Sequence, residues 1–132
     1  MDDIFVAQLM TTDLKTVVPG TLVEDAADLM LDETIGSVVV VNDAHEIEGI
    51  LTRTDFVDIV AGQKPKDQTP VSAYMTPDVL TAEAGETIRT VADRMVEAGI
   101  HHVPVVDDDE VIGIITTTDL TGYLSTVQTP SP

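Results

Sequence analysis

Cysteine and tryptophan are absent from this 132-residue sequence, and aromatic residues make up only 3% of it. Without cysteine, the chain can form neither disulfides nor thiolate ligands for a metal. Hydrophobic residues nonetheless account for 43% of the chain, and most of them are Val, Ile, Leu and Ala. This composition is typical of a globular protein with an aliphatic core and not of a disordered chain.

Long apolar runs are also absent. A run such as Val38–Val41 has only the length of a strand, whereas a membrane-spanning helix needs about 20 apolar residues. The N-terminal stretch MDDIFVAQLM carries acidic side chains where a signal peptide carries basic ones. We therefore expect a soluble, cytoplasmic protein with no membrane partner.

Basic residues are scarce: 6 Lys and Arg stand against 24 Asp and Glu, for a net charge of −18. Scattered cations cannot form the basic surface that phosphate contacts need, which argues against a nucleic-acid partner. A dedicated acidic interaction surface would explain part of the excess. Acids in every segment fit better with adaptation to molar salt, where screening makes self-repulsion tolerable. We expect a halophilic archaeal source and loss of stability at low salt.

The chain repeats itself. Residues 6–56 align with residues 71–120 at an offset of 65, which falls to 64 after one gap beside Glu46. Glycines, threonines and aspartates stay in phase over this length, which chance similarity would not maintain. The paired residues include Met10/Met75, Thr11/Thr76, Thr16/Thr81, Gly49/Gly113, Thr52/Thr116 and Asp55/Asp119.

Each repeat predicts the element order β-α-β-β-α. In the first repeat an extended piece around Thr16 leads to a helix that a Thr21–Glu24 capping box would start. The β-branched run Ser37–Val41 predicts a strand buried on both faces, and a short polar turn joins it to Ile47–Leu51 as an antiparallel hairpin. A last helix follows Thr54. The second repeat has matching segments: the piece around Thr81, a helix ending near Gly99, strands Val103–Val106 and Val111–Ile115, and a helix after Thr118.

The predicted fold class is α/β in the broad sense (α+β). A repeat of about fifty residues buries too little surface to be stable alone. We therefore expect the two repeats to pack sheet to sheet as a pseudo-twofold intramolecular dimer. The predicted boundaries are residues 1–61 for the first repeat, 62–70 for a linker, 71–126 for the second repeat and 127–132 for a flexible tail.

Three local patterns, duplicated at constant spacing, resemble the CBS (cystathionine-β-synthase) domain family. They are a Met-Thr pair before Thr16 or Thr81, the strand IHHVPVVD with IGSVVVVND as its counterpart, and GIITTTD with GILTRTD. The resemblance covers nearly the whole chain and implies a CBS pair, or Bateman module. The resemblance further implies that this pair binds AMP, ATP or an S-adenosyl compound in the cleft between the repeats and regulates a separate, unknown protein.

The pattern G-x-x-T-x-x-D places Thr116 at the end of a strand and Asp119 in the first turn of a helix. Helix N-terminal amides and a hydroxyl can bind phosphate, and a carboxylate there can accept both ribose hydroxyls. Family members use the Asp for ribose and the Thr near phosphate, so the resemblance carries these roles to Thr116 and Asp119, and to Thr52 and Asp55. The alternative is that these residues only cap their helices.

The resemblance also assigns His101, three positions before Pro104, to a phosphate contact, with a solvent-exposed histidine as the alternative. The first repeat has Gly36 at this place, so we expect one good site and one weaker or empty one, although Arg53 could compensate. The residues expected at the adenine are Thr81 and Val103 in the second repeat and Thr16 and Val38 in the first. Ordinary core packing is the alternative for these four.

Cofactors and partners follow from the same resemblance. No cofactor is obligatory; the adenine nucleotide is a regulatory ligand, and Mg²⁺ could accompany ATP because a chain of charge −18 repels a nucleotide. CBS pairs commonly form homodimers through their helices, and we expect one here.

Catalytic motifs are missing: the sequence has no nucleophile elbow, Walker loop or H-E-x-x-H. We therefore expect no enzyme. A ligand-free interaction module is the main alternative function, and a sensor of salt or divalent cations is another, since Asp107–Asp109 cluster in a turn. Their spacing lacks the order of a calcium loop, so we expect no metal site.

Overall fold

A computed structural model describes residues 4–63 and 65–126, which form two compact units. The central unit is Lys15–Val79, and the terminal unit combines Met1–Leu14 with Leu80–Pro132. The boundaries of these units differ from those of the sequence repeats, because the first residues of each repeat belong to the unit that holds the rest of the other repeat. The expected tail, 127–132, lies outside the described residues.

The elements confirm a β-α-β-β-α order in each repeat. Each unit holds a three-stranded sheet in which the short first strand runs parallel to the second and the last two strands form the predicted antiparallel hairpin. In chain order the elements are α1 (Val6–Leu9), β1 (Thr16–Val17), α2 (Val23–Glu33), β2 (Ser37–Val41), β3 (Ile47–Thr52), α3 (Arg53–Gly62), a 3-10 turn (Val71–Ala73), β4 (Ala82–Glu83), α4 (Ile88–Ala98), β5 (His102–Asp107), β6 (Glu110–Thr116) and α5 (Thr117–Thr126).

The middle strand anchors the core of each unit. All five residues of β2 are buried, as the β-branched run predicted. Val38 and Val40 pack with Leu51 and with the apolar faces of α2 and α3. In the terminal unit Val103 and Val105 pack in the same way with residues of α4 and β6, and α1 contributes Val6. None of the helices in the part of the chain that the structure describes is long and apolar enough to cross a membrane.

The predicted capping box at the start of α2 is wrong. The N-cap residue is Leu22, and the amides of Val23 and Glu24 donate to the carbonyls of Thr69 at 2.9 Å and Lys66 at 3.3 Å. Thr21 instead accepts a hydrogen bond from the Val18 amide through Oγ1, at 3.2 Å. The segment expected to be a linker therefore caps α2 with its backbone.

The corresponding helix α4 has a side-chain cap. Thr87 is its N-cap, and Oγ1 of Thr87 accepts from the amide of Thr90 at 3.3 Å. At the other end Gly99 adopts φ 67, and its amide donates to the carbonyl of Met95. The predicted glycine C-cap is therefore confirmed, since a positive φ is the conformation that favours glycine.

The Met-Thr segments extend the two sheets. Thr76 forms an antiparallel bridge with Ile50, with N–O distances of 2.9 and 3.0 Å, and Thr11 forms the equivalent bridge with Ile114, at 2.8 and 3.0 Å. A Cβ at Gly113 would stand 2.8 Å from the carbonyl oxygen of Thr11, so this close approach requires glycine. Each bridge lies within one compact unit but joins segments of different repeats.

Candidate functional site

The predicted site residues gather at one end of each sheet. In the central unit Ser37 pairs with Thr52, and Thr16 pairs with Val39, so the starts of β1 and β2 meet the end of β3. This end lies away from the hairpin turn, and α3 begins from it. The terminal unit has the same arrangement, with His102 opposite Thr116.

The Thr–Asp pairs fix the start of the last helix in each unit. In the terminal unit, Oδ2 of Asp119 accepts from the amide of Thr116 at 2.9 Å and from its hydroxyl at 3.1 Å, and the Asp119 amide donates back to Oγ1 at 3.2 Å. In the central unit, Oδ2 of Asp55 accepts from the amide of Thr52 at 2.7 Å and from its hydroxyl at 3.3 Å. Both half-buried aspartates therefore cap a helix through one oxygen, which leaves Oδ1 outside the cap.

The donors at these helix starts are largely in use. The amide of Thr117 donates to the carbonyl of His101 at 3.0 Å, and the amide of Arg53 donates to Gly36 in the same way at 3.2 Å. The single hydroxyl proton of Thr116 points at Asp119. A phosphate bound here would have to displace these bonds or use other donors, such as the His101 imidazole and the hydroxyls of Thr117 and Thr118.

His101 and Arg53 lie next to the helix starts, and both are exposed. The backbone hydrogen bond from Thr117 holds His101 beside the first turn of α5. Gly36, which has no side-chain donor, takes this place in the central unit. The difference between the repeats that the sequence predicted is therefore present at the helix starts themselves.

Among the residues expected at the adenine, only the two threonines reach the surface. Val38 and Val103 are fully buried in the cores of their units, and Pro104 is fully buried as well. Thr16 and Thr81 are half-buried at the sheet ends. Core packing accounts for the valine side chains, and their contact with an adenine stays a prediction.

Sequence reasoning missed an ion pair that holds Thr81. The Arg94 guanidinium donates to the carbonyl of Thr81 at 3.0 Å and to both carboxylate oxygens of Glu86, at 2.7 and 3.2 Å. The hydrogen bonds from Arg94 hold the pKa of Glu86 below its ordinary value. Thr21 and Leu29 occupy the aligned positions of the first repeat, so a comparison of the repeats was the one signal that could have revealed this pair.

A shallow depression of about 360 Å³ follows the exposed face of α5 from its start. Small and hydroxyl-bearing residues line it: Thr117, Thr118, Thr121, Gly122 and Ser125. Within residues 4–63 and 65–126, no group of three or more His, Asp or Glu side chains is placed to hold a metal ion. Asp108 and Asp109 form the turn between β5 and β6, with φ values of 48 and 69.

Comparison with known proteins adds to this geometry. The model of the CBS domain matches residues 6–62 and 71–126. The chain belongs to the CBS domain family. The predicted pair of CBS repeats is thereby confirmed.

Two relatives and one solved structure show how far the similarity extends. CBS domain-containing protein YhcV of Bacillus subtilis is 30% identical over 115 residues, which are 87% of this chain and 81% of that protein. Protein MJ1225 of Methanocaldococcus jannaschii is 28% identical over 114 residues, and the chain spans only 40% of its length. The crystal structure of the CBS domain pair of protein MJ0100, in complex with 5′-methylthioadenosine and S-adenosyl-L-methionine, matches with a TM-score of 0.86 at 26% identity. That match covers 94% of this chain and 98% of the other.

Proposed function

We propose that this CBS pair is a non-catalytic regulatory module that binds an adenosine-containing ligand and signals to a separate protein. The observation that carries the proposal is the duplicated Thr–Asp arrangement, in which Asp55 and Asp119 each fix one carboxylate oxygen at a helix start and keep the other outside the cap. A structural neighbour at 26% identity, the CBS pair of MJ0100, was crystallised with two adenosine compounds.

A carboxylate held in this way suits a ribose. An ionised carboxylate only accepts hydrogen bonds and offers about four acceptor positions on its two oxygens. The cap takes two positions on Oδ2 of Asp55, so Oδ1 can accept from the two neighbouring hydroxyls of a ribose. Because the cap fixes the carboxylate before the ligand arrives, little side-chain entropy is lost on binding.

Charge favours a ligand without phosphates. The chain carries −18, which repels AMP and ATP at long range. At the helix start of the terminal unit, the Thr116 hydroxyl and the Thr117 amide already have acceptors, which leaves the exposed His101 imidazole as a neighbouring donor. We therefore rank 5′-methylthioadenosine and the positively charged S-adenosylmethionine above AMP, and we expect ATP to bind only with Mg²⁺ to offset its charge.

Adenine recognition would use the same sheet ends. Thr16 and Thr81 are half-buried there, and Val38, Val103 and Pro104 are buried in the strands of the same sheets. Arg94 holds the Thr81 carbonyl in place. The half-buried threonines at these sheet ends support an adenine held by backbone hydrogen bonds.

Calorimetric titration in molar KCl tests the proposal with 5′-methylthioadenosine, S-adenosylmethionine, AMP, and ATP with and without Mg²⁺. The variants Asp55→Asn and Asp119→Asn keep an acceptor oxygen for the cap but present an amide donor to the ribose. Each should weaken its own site about tenfold or more, because a hydrogen bond to a charged group is lost. The double variant should be weakened at both sites, and the exposed Asp93→Asn on α4 is the matched control.

Equal binding by the wild type and the double variant would exclude these aspartates from the site. If the wild type bound none of the four ligands, the proposal that this module binds an adenosine compound would be contradicted.

Exposed apolar side chains favour a second role in self-association. On α3, Val57 and Val60 are 67% and 76% exposed, and on α5 Leu124 is 69% exposed. Such side chains on helices fit the expected homodimer, in which the helices would form the contact. Sedimentation velocity in molar KCl should show a dimer for the wild type and a monomer for Val60→Asp; a monomeric wild type would contradict this role.

A further inference from the structure

A residue from outside the second repeat contacts the candidate ribose-binding carboxylate. The hydroxyl of Thr11 donates to Oδ1 of Asp119 at 3.4 Å, although the two residues are 108 positions apart in the sequence. Both belong to the terminal unit. Oδ1 is the oxygen that the helix cap leaves unused, so Thr11 stands where a ribose would approach.

The backbone fixes the position of Thr11. Its amide and carbonyl both bond to Ile114, at 2.8 and 3.0 Å. The absence of a side chain at Gly113 lets the Thr11 carbonyl lie against β6, where a Cβ would come within 2.8 Å of it. The Thr11 hydroxyl is therefore set beside Asp119 by the sheet, not by the weak hydrogen bond itself.

The central unit lacks this contact. Thr76 forms the same bridge with Ile50, at 2.9 and 3.0 Å. Within the described residues, however, no hydrogen bond joins the Thr76 hydroxyl to Asp55, and Oδ1 of Asp55 accepts none. The two carboxylates therefore offer a ligand different numbers of acceptor positions: two on Oδ1 of Asp55 and one on Oδ1 of Asp119.

We propose that Thr11 is a ligand-binding residue of the terminal unit, which divides the two ribose hydroxyls between Asp119 and Thr11. One ribose hydroxyl donates to Oδ1 of Asp119. The other donates to Oγ1 of Thr11, because a hydroxyl that donates to a carboxylate can still accept. In the central unit both ribose hydroxyls go to Asp55. This inference rests on the proposed function and assigns to the terminal unit a site residue from the start of the first repeat.

The test measures the terminal site alone, in Asp55→Asn protein, by titration with 5′-methylthioadenosine and its 2′-deoxy and 3′-deoxy analogues. Thr11→Val keeps the shape of the side chain and removes the hydroxyl, and Thr76→Val is the matched control. We expect Thr11→Val to weaken 5′-methylthioadenosine binding about fivefold, which is the loss of one neutral hydrogen bond. Binding of one of the two deoxy analogues should not change, because that analogue lacks the hydroxyl that Thr11 accepts.

The analogues separate a ligand contact from a structural role. If Thr11 only supported the fold, Thr11→Val would weaken all three ligands by the same factor, which would overturn the proposal. Unchanged affinity in Thr11→Val, or an equal loss in Thr76→Val, would also overturn it. If the wild type binds but Asp55→Asn does not, the terminal site is empty, so this inference is wrong while the proposed function stands. If the wild type binds no adenosine compound, the inference and the proposed function are both wrong.

Discussion

The guanidinium of Arg94 donates to both carboxylate oxygens of Glu86, at 2.7 and 3.2 Å. Oε2 of Glu86 also accepts from the amide of Glu83 at 2.8 Å, so one carboxylate closes the turn before α4 and binds the guanidinium. The hydrogen bonds from Arg94 lower the pKa of Glu86 from its ordinary value of 4.5, against the opposing effect of burial. Since Arg94 also holds Thr81, this ion pair links the turn to the candidate site.

The stability of the protein should depend on pH through Glu86. A carboxyl group with a lowered pKa in the folded state stabilises the protein above its unfolded pKa, and this contribution is lost as the pH falls through the folded pKa. At neutral pH we expect Glu86→Gln to be less stable by up to about 1 kcal/mol, since the pair is partly exposed. Melting curves recorded from neutral pH to about pH 3 should show the two proteins converging in acid. A gap that is constant with pH would contradict this account.

Gly113→Ala should be strongly destabilising. The new Cβ would stand 2.8 Å from the Thr11 carbonyl and 3.1 Å from the Met10 sulfur, and the carbonyl is backbone that the bridge to Ile114 holds. Overpacking of this kind costs about 1–3 kcal/mol. Urea unfolding should show this loss, whereas Gly85→Ala, where no atom lies within 4 Å of the new Cβ, should unfold as the wild type does.

Thr87→Ala should cost about 1 kcal/mol, because α4 loses the hydroxyl that accepts from the Thr90 amide. Thr87→Ser keeps an oxygen at this position and should retain most of the stability. Chemical denaturation of the three proteins measures the difference. Equal loss in the serine and alanine variants would show that the methyl group, not the cap, is what α4 needs.

Removal of salt should destabilise the protein. The charge of −18 on 132 residues repels itself more strongly in the folded state than in the expanded one, and molar salt shortens the screening length to about 3 Å. The melting temperature should rise steadily from millimolar to molar KCl. NaCl should act like KCl if screening is the cause, and a melting temperature that does not depend on salt would contradict the halophilic interpretation.

Local patterns predicted the hairpins. The features that those patterns missed depend on contacts between residues that are distant in the sequence. A β-branched run followed by a short polar turn was enough to predict that Ser37–Val41 pairs with the next strand, and Gly99 caps α4 through its own φ. The capping box at Thr21 was wrong because Lys66 and Thr69, far along the chain, supply the acceptors for α2.

The candidate site likewise contains some features that a local pattern predicts and others that depend on distant contacts. The pattern T-x-x-D placed Thr116 at a strand end and Asp119 in the first turn of a helix, and the helix cap that was the alternative to ligand binding is present. The contacts of Thr81 with Arg94 and of Asp119 with Thr11 depend on how separate segments pack. No spacing within either repeat encodes them, and only the difference between the repeats at Glu86 and Arg94 could have indicated the first of them.

The division of the chain into units has a consequence for its synthesis. A ribosome delivers the chain from its N-terminus, and the central unit, Lys15–Val79, is a continuous stretch that is complete before β4 is made. Met10 and Thr11 stay without their partners through that interval, since Gly113 and Ile114 are translated only after β4 and α4. A chain that ends at Val79 and is released from the ribosome should therefore already resist protease in the central unit, while the Met10–Thr11 segment is still cleaved.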